Sequence, residues 1–142
     1  MKRISLNIFV LTLISSAAFA ANKASNAMFV MPQDIKWTEV TGFPGVSTAT
    51  IEGDATKGAH HAFMKFAPGF SAPMHHHTAD HFVTVVSGTL ILTVDGQEHR
   101  LPPGSYFSFK KKQVHATACA NGAECVLFTD TRGKWDVVPV KK

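Results

Sequence analysis

The chain has 142 residues, of which 45% are hydrophobic and 17% charged, a composition typical of one folded globular domain. Its 14 Lys and Arg residues exceed the 10 Asp and Glu residues by only four, and Lys2 and Arg3 supply half of that excess. So small a surplus of positive charge gives no basis for a nucleic-acid-binding protein or for a protein that adheres to anionic membranes.

Residues 1–20 have the pattern of a secretory signal peptide. Lys2 and Arg3 form a basic start, residues 4–19 carry no charge, and an Ala-Phe-Ala sequence ends at Ala20. A retained membrane anchor is the alternative, but the strongly apolar part of this segment is short for a bilayer span. We therefore predict cleavage after Ala20 and a periplasmic or secreted protein that has no contact with a membrane after cleavage.

The next segment, residues 21–35, is predicted to be a flexible leader, because it begins with small and polar residues. Residues 36–142 then form a single domain built from short strands. Gly and Pro residues interrupt every apolar run, no stretch has a helical period longer than two turns, and Asp95-Gly96 is a strong hairpin signal. This spacing predicts an all-β sandwich or barrel, with strands at 59–66, 81–86, 89–94, 97–101, 106–109, 114–119 and 125–129.

Two cysteines, Cys119 and Cys125, flank the dipeptide Asn121-Gly122, which favours a tight hairpin turn. A five-residue loop would place the two cysteines opposite each other, close enough to form a disulfide in an oxidising compartment. The alternative is a pair of buried free thiols, which pack as small hydrophobic residues.

Four histidines carry the strongest signal of chemistry in the chain. His75 and His77 are two residues apart, so on an extended strand both side chains point to the same face. Converging neutral imidazoles suit first-row metal ions. His81 and His115 stand at offsets from which a turn and a later strand could bring them to the same point.

The other histidines have simpler interpretations. His76 lies between two candidate ligands, so strand alternation points it to the opposite face. His60 and His61 occupy the preceding strand, where one of the two faces the interior. His99 follows Glu98 near the predicted hairpin and is expected to be solvated.

The histidine spacing resembles the first motif of the cupin superfamily, G-x5-H-x-H-x3,4-E-x6-G. Gly69, His75, His77 and Gly88 fit this motif in register, and His81 occupies the position of its glutamate.

The second cupin motif, G-x5-P-x-G-x2-H-x3-N, is matched less completely. Gly104 and His115 fit it, whereas Lys110, Lys112 and Cys119 stand where the family has Pro, Gly and Asn. The resemblance covers roughly residues 59–129.

The chain is also similar to small cupins of the DUF4437-like and ChrR-like kind, which generally have no established reaction. The similar segments are Trp37-Thr38-Glu39, the Gly-Phe-Pro-Gly-Val sequence at 42–46, Glu52-Gly53-Asp54, and the sequence around Cys119 and Cys125.

The resemblance implies a single-domain jelly-roll β-barrel with one divalent first-row metal ion in its mouth, held by His75, His77 and His115. His81 joins this set by position, and a structural role for it, with a hydrogen bond to Asp80 or water, is the alternative. Replacing the family's carboxylate by a neutral imidazole leaves the ion its full positive charge, which strengthens its Lewis acidity. Imidazole ligands do not distinguish Fe, Zn, Ni, Mn and Cu.

We therefore expect an exported mononuclear metal-binding cupin that acts on a small molecule, as an enzyme of dioxygenase-like type. Three-His and four-His cupin sites occur in oxygenases. The alternative is a non-catalytic binding or sensing protein with a closed four-His site, since a metal that keeps no open position is structural. Metal-independent isomerase or lyase chemistry is a third reading. The oligomeric state is open, with a homodimer among the alternatives.

Overall fold

The computed structural model describes residues 27–140 of the chain. The predicted signal peptide, residues 1–20, and the first part of the predicted leader, 21–26, lie outside the described residues. The described part of the leader is exposed over 27–34 and contains a short 3-10 helix, Pro32–Asp34. Within 27–140, no helix is long and apolar enough to cross a membrane.

Apart from this 3-10 helix, the regular secondary structure of the described chain consists of strands arranged in two antiparallel sheets. The strands are β1 (Thr38–Glu39), β2 (Val46–Gly53), β3 (His60–Phe66), β4 (Ser71–His76), β5 (His81–Ser87), β6 (Leu90–Val94), β7 (Gln97–Leu101), β8 (Tyr106–Phe109), β9 (His115–Cys119), β10 (Cys125–Thr131) and β11 (Val138–Pro139). The first sheet has the order β1-β2-β3-β10-β5-β8, and the second has the order β11-β4-β9-β6-β7.

The two sheets enclose one hydrophobic core. Alternate residues of β10 are buried, as the two-residue period of a strand requires. Val83 and Leu127 of the first sheet pack in one cluster with Leu90 and Leu92 of the second. The faces that carry these residues therefore lie against each other, as in a jelly roll.

The predicted all-β class is confirmed, and the predicted strands correspond to β3 and β5–β10. Asp95 and Gly96 join β6 to β7 with φ angles of 50° and 78°, which confirms the hairpin predicted there. Closure into a barrel is not observed, because no backbone pairing among residues 27–140 joins the two sheets. The predicted list of strands did not include β1, β2, β4 or β11. His75 and His77 were expected on one extended strand, but β4 ends at His76, so His77 follows it.

The connection between β9 and β10 differs from the predicted hairpin. β9 pairs with β4 and β6, whereas β10 pairs with β3 and β5, so the turn at 121–122 carries the chain from one sheet to the other. Cys119 and Cys125 nevertheless meet across this turn and form a disulfide, with their Cα atoms 5.8 Å apart.

The glycine at position 88 makes room for this connection. It has a φ of 74°, and a Cβ atom there would lie 2.5 Å from the carbonyl oxygen of Glu124 and 2.8 Å from the Cα atom of Cys125. A side chain at Gly88 would displace the backbone beside the disulfide, because the closest of these atoms belong to the backbone.

Candidate metal centre

Three histidines converge at one end of the space between the sheets. His75 lies near the end of β4 and is the direct cross-strand partner of His115, the first residue of β9. His77 follows β4, and each of the three residues offers a ligand nitrogen within 4.8 Å of the other two. The structure thus brings together the two histidines that match the first cupin motif and the one that matches the second.

Each of these three imidazoles is oriented by a backbone carbonyl group. The Nδ1 atom of His75 lies 2.7 Å from the Pro73 oxygen, and that of His115 lies 2.9 Å from the Gln113 oxygen. The Nδ1 atom of His77 bonds to the carbonyl oxygen of Asp136. A carbonyl oxygen can only accept, so Nδ1 carries the proton in each ring and Nε2 keeps its lone pair for a metal ion.

Burial keeps these imidazoles neutral. Desolvation lowers the pKa of His115 to about 4 and that of His81 to about 3, and it lowers the pKa values of His75 and His77 as well. The hydrogen bonds to carbonyl groups oppose the effect of burial at His75, His77 and His115 without cancelling it. Metal ions bind the neutral form of imidazole, so at neutral pH these side chains are in the state that a ligand needs.

His81 stands beside the group of three. It is the first residue of β5, it is 5% exposed, and its ring centroid lies 4.2 Å from that of His77. Its Nδ1 atom is 3.1 Å from the hydroxyl oxygen of Thr131, while its buried Nε2 atom has no hydrogen-bond partner in the described structure. A buried polar atom without a partner costs free energy, and an ion at the three histidines would offer one.

Asp80, considered as a partner for His81, faces elsewhere. Its carboxylate accepts a hydrogen bond from the backbone N–H of Lys111 at 2.8 Å and lies 3.3 Å from the ammonium group of Lys110. These contacts lower the pKa of Asp80, the bond from Lys111 most strongly. The orientation of His81 is therefore fixed by Thr131 and not by Asp80.

The four histidines open onto a cavity of about 80 Å³ between the sheets. Most of its wall is apolar, which is usual for small-ligand sites. The ring of Phe109 stacks on that of His115 with a centroid distance of 3.8 Å. The apolar wall and the neutral nitrogen donors together fit a first-row metal ion.

The remaining histidines lie outside this group. His60 is the member of its pair that faces the interior, whereas His61 points outward and its Nδ1 atom is 3.2 Å from Glu52. His76 is half-buried and separate from the three converging rings, and His99 is exposed.

Sequence reasoning did not identify the residues that support the ligands. Thr131 is one of several threonines on strands, and Asp136 acts through its backbone carbonyl group, so neither gives a motif. The carboxylate of Asp136 bonds to the backbone N–H of Thr78 at 2.9 Å and to its hydroxyl group at 2.7 Å, which fixes the segment after β10 against His77.

A family model described as "Cupin domain" matches residues 62–129, a range that contains the four histidines and the two cysteines. The chain belongs to the cupin superfamily. The resemblance inferred from the two motifs is thereby confirmed at the level of the superfamily, while the closer similarity to DUF4437-like cupins stays a prediction.

Solved structures share the fold of this cupin. The polyketide cyclase RemF from Streptomyces resistomycificus superposes with a TM-score of 0.68 at 19% identity, over 82% of this chain and 87% of that one. KdgF from Halomonas sp. gives 0.62 at 20% identity, over 75% and 94% of the two chains. The Cupin_2 domain of an XRE family transcriptional regulator from Enterobacter cloacae gives 0.52 at 21% identity, over 62% and 96%.

These similarities show the fold alone, because the identities are low and the neighbours include both a cyclase and a regulator domain. No curated protein matches this cupin closely enough in sequence to count as a relative.

Proposed function

We propose that this cupin binds one divalent first-row metal ion per chain through His75, His77 and His115, with His81 as the fourth ligand. We further propose that it is exported and acts on a small molecule as an enzyme of dioxygenase-like type. The metal at the three histidines would supply Lewis acidity and would bind the oxygen atoms of an enolate-like or catechol-like substrate.

One observation carries the proposal of a metal site. Three buried or half-buried imidazoles offer ligand nitrogens within 4.8 Å of one another, and each ring has its other nitrogen bound to a backbone carbonyl group. Metal-binding histidines typically have this arrangement, in which the second nitrogen donates to a fixed acceptor. A chance group of surface histidines would not have all its rings oriented in this way.

Whether His81 is a ligand distinguishes a catalytic site from a binding site. Its unpartnered Nε2 atom and its position 4.2 Å from the His77 ring favour ligation. It is nevertheless not one of the three residues whose ligand atoms lie mutually within 4.8 Å. A three-plus-one site that keeps a position open supports an enzyme, whereas a closed four-His site supports the alternative of a binding or sensing protein.

Metal analysis of untagged protein tests the site. We expect about one first-row ion per chain in the unaltered protein and none in the His75→Ala/His77→Ala double variant. Only His81 and His115 remain in that variant, and two imidazoles are too few to hold an ion stoichiometrically. Replacing His81 by Ala should weaken binding less than replacing His75.

The matched control is His76→Ala, which removes the same side chain from the intervening position of β4. It should leave the metal content unchanged, because His76 is outside the converging group. Stoichiometric metal in the double variant would contradict the proposed site, and loss of metal in His76→Ala would show that another ligand set is used.

Oxygen uptake tests the proposed reaction class. We expect metal-loaded protein to consume oxygen with a diketone or a phenol, and the double variant to be inactive with the same compound. Stoichiometric metal without oxygen uptake across such a panel would favour the binding or sensing alternative.

A further inference from the structure

A second, larger cavity lies next to the candidate metal centre. It measures about 430 Å³, within the range of cavities that hold small organic ligands. It shares Met64, Thr129 and Trp135 with the cavity beside the histidines, so these three side chains border both spaces.

Among residues 27–140, Lys134 is the one Lys, Arg, Asp or Glu residue that lines this second cavity. Its side chain is exposed, and no carboxylate within 27–140 lies within ion-pair distance of its ammonium group. The acidic residue of the neighbouring loop, Asp54, is already paired with Lys57 at 2.8 Å and accepts a 2.6 Å hydrogen bond from the hydroxyl group of Thr56. The cavity is therefore bordered by a positive charge that has no carboxylate partner among the described residues.

The position of Lys134 is fixed relative to the histidines by the adjoining backbone. The N–H of Trp135 donates to the carbonyl oxygen of Ala55 at 2.9 Å, which ties this segment to the neighbouring loop that also lines the cavity. Two residues from Lys134, the carbonyl oxygen of Asp136 accepts the hydrogen bond of His77. The segment from Lys134 to Asp136 thus connects the charged edge of the second cavity to the carbonyl group that orients His77.

The side chains that border both cavities suit the apolar part of a ligand. The indole ring of Trp135 offers a flat apolar surface, and Met64 has a flexible thioether side chain that adapts to the shape of a neighbour. A ligand in the second cavity would have its charged end at Lys134 and its apolar body against these two residues, pointing to the histidines.

We propose that the second cavity binds the anionic group of a small organic acid through Lys134, with the apolar body of that acid held between Met64 and Trp135. The inference rests on the proposed function for the histidine end of the ligand, and it names an apolar or aromatic acid as the substrate class. An ammonium group favours a carboxylate over a neutral isostere through a charge-assisted hydrogen bond.

Trp135 provides a direct signal for this binding. The chain has two tryptophans, so in a Trp37→Phe background all tryptophan fluorescence comes from Trp135. We would titrate this protein with phenylacetate and with phenylacetamide, which differ in charge but hardly in shape. We expect phenylacetate to bind about tenfold more tightly than phenylacetamide, and we expect Lys134→Met to reduce this ratio to about one.

Lys111→Met is the matched control, because Lys111 is exposed, lines neither of the two cavities, and its replacement changes the net charge by the same amount. It should retain the preference for the acid. Calorimetric titration of the protein with Trp37 intact gives the same ratio without depending on the folding of the fluorescence variant.

Three results would overturn the inference: an equal affinity for acid and amide in the unaltered protein, a preference that survives in Lys134→Met, or no binding of either compound in the millimolar range. Metal content measured on the same samples reports separately on the proposed function. Acid preference without metal would contradict the metal site alone, whereas metal without acid preference would contradict the second cavity alone.

Discussion

At the scale of single residues, the three proposed ligands differ in what orients them. His75 and His115 each bond to the carbonyl group two residues earlier in their own segment, so the local backbone sets both rings. His77 instead depends on the carbonyl group of Asp136, which is 59 residues away in the sequence. The side chain of Asp136 fixes that contact by bonding to Thr78.

Replacing Asp136 by Ala should therefore weaken metal binding although its side chain is not a ligand. We expect a loss of affinity of about tenfold, the lower end of what removal of a group that orients a ligand usually costs. Competition with a chromogenic chelator measures the change. Asp130→Ala is the control, since Asp130 bonds to Arg132 on the outer face, and an equal loss in both variants would contradict this role of Asp136.

Acid should destabilise the metal-free protein through the same histidines. Burial lowers the pKa values of His81 to about 3 and of His115 to about 4, below the ordinary value near 6.5. The unfolded chain therefore takes up protons first as the pH falls below about 6.5. Each such group then lowers the free energy of unfolding by up to about 1.4 kcal/mol per pH unit, until its folded-state pKa is reached.

Urea unfolding of metal-free protein between pH 7.5 and pH 5 measures this effect. The loss of stability should be smaller in His81→Leu than in the unaltered protein, because one of the titrating groups is gone. His99→Gln, which changes an exposed histidine, should not alter the slope. A flat pH dependence in the unaltered protein would contradict the burial of these imidazoles as neutral groups.

Strand alternation predicted that His75 and His77 share a face, and the resemblance to the second cupin motif added His115. The structure brings these three together, and their role as metal ligands stays a prediction. The sequence could not reveal Thr131 or Asp136, because their roles arise from contacts that join distant segments. The sequence also could not tell which of His60 and His61 faces the interior. Strand alternation places the two side chains on opposite faces, but it does not show which face is buried.

At the scale of the elements, the turn between β8 and β9 contains a residue in an unfavourable conformation. Lys112 has a φ of 66°, in the left-handed region that favours glycine, and it stands where the second cupin motif has Gly. Its N–H donates to the carbonyl oxygen of His77 at 2.8 Å. Lys112 thus keeps the left-handed backbone conformation expected of the glycine that the motif has at this position.

Lys112→Gly should raise the free energy of unfolding by about 1 kcal/mol, since it removes the steric cost of a left-handed residue. The control Lys111→Gly, at a position without a positive φ, should lower stability by about 0.5–1 kcal/mol through added freedom of the unfolded chain. Urea unfolding at pH 7.5 compares the two, and destabilisation of equal size in both would contradict the prediction.

The disulfide belongs to the same scale, since it joins the end of β9 to the start of β10. Replacing both Cys119 and Cys125 by Ala should lower the free energy of unfolding by roughly 2 kcal/mol, as expected for a short closed loop. Metal content should be unchanged, because the histidines lie at the opposite ends of these strands. Intact-mass measurement after alkylation of unfolded, unreduced protein checks the bridge, and two reactive thiols would exclude it.

At the scale of the whole molecule, the all-β class could be predicted from Gly and Pro spacing and from β-branched runs, whereas the expected closure into a barrel is not observed among the described residues. The route of the chain between the sheets could not be predicted, because the Asn121-Gly122 turn gives no sign that its flanking strands pair with other partners. The predicted hairpin was wrong for this reason, although the cysteines it placed together do meet.

Export is the prediction that concerns the complete chain. Expression with residues 1–20 present should give a mature N-terminus at Ala21 in the periplasmic or secreted fraction, because residues 1–20 have the pattern of a signal peptide that ends at a small-residue site. N-terminal sequencing of the fractionated protein checks this. An intact Met1 on membrane-associated protein would contradict it.

The placement of the disulfide has a dynamic consequence. The disulfide links the end of β9 to the start of β10, and these two strands belong to different sheets. His115, at the other end of β9, lies about 13 Å from the disulfide at the usual rise per residue. At the end away from the disulfide, a metal bound by His75 and His115 of one sheet and by His81 of the other would link the two sheets a second time. Removing the metal would then free only the far end, so amide hydrogen exchange there should follow metal occupancy while the amides around Cys119 and Cys125 remain protected.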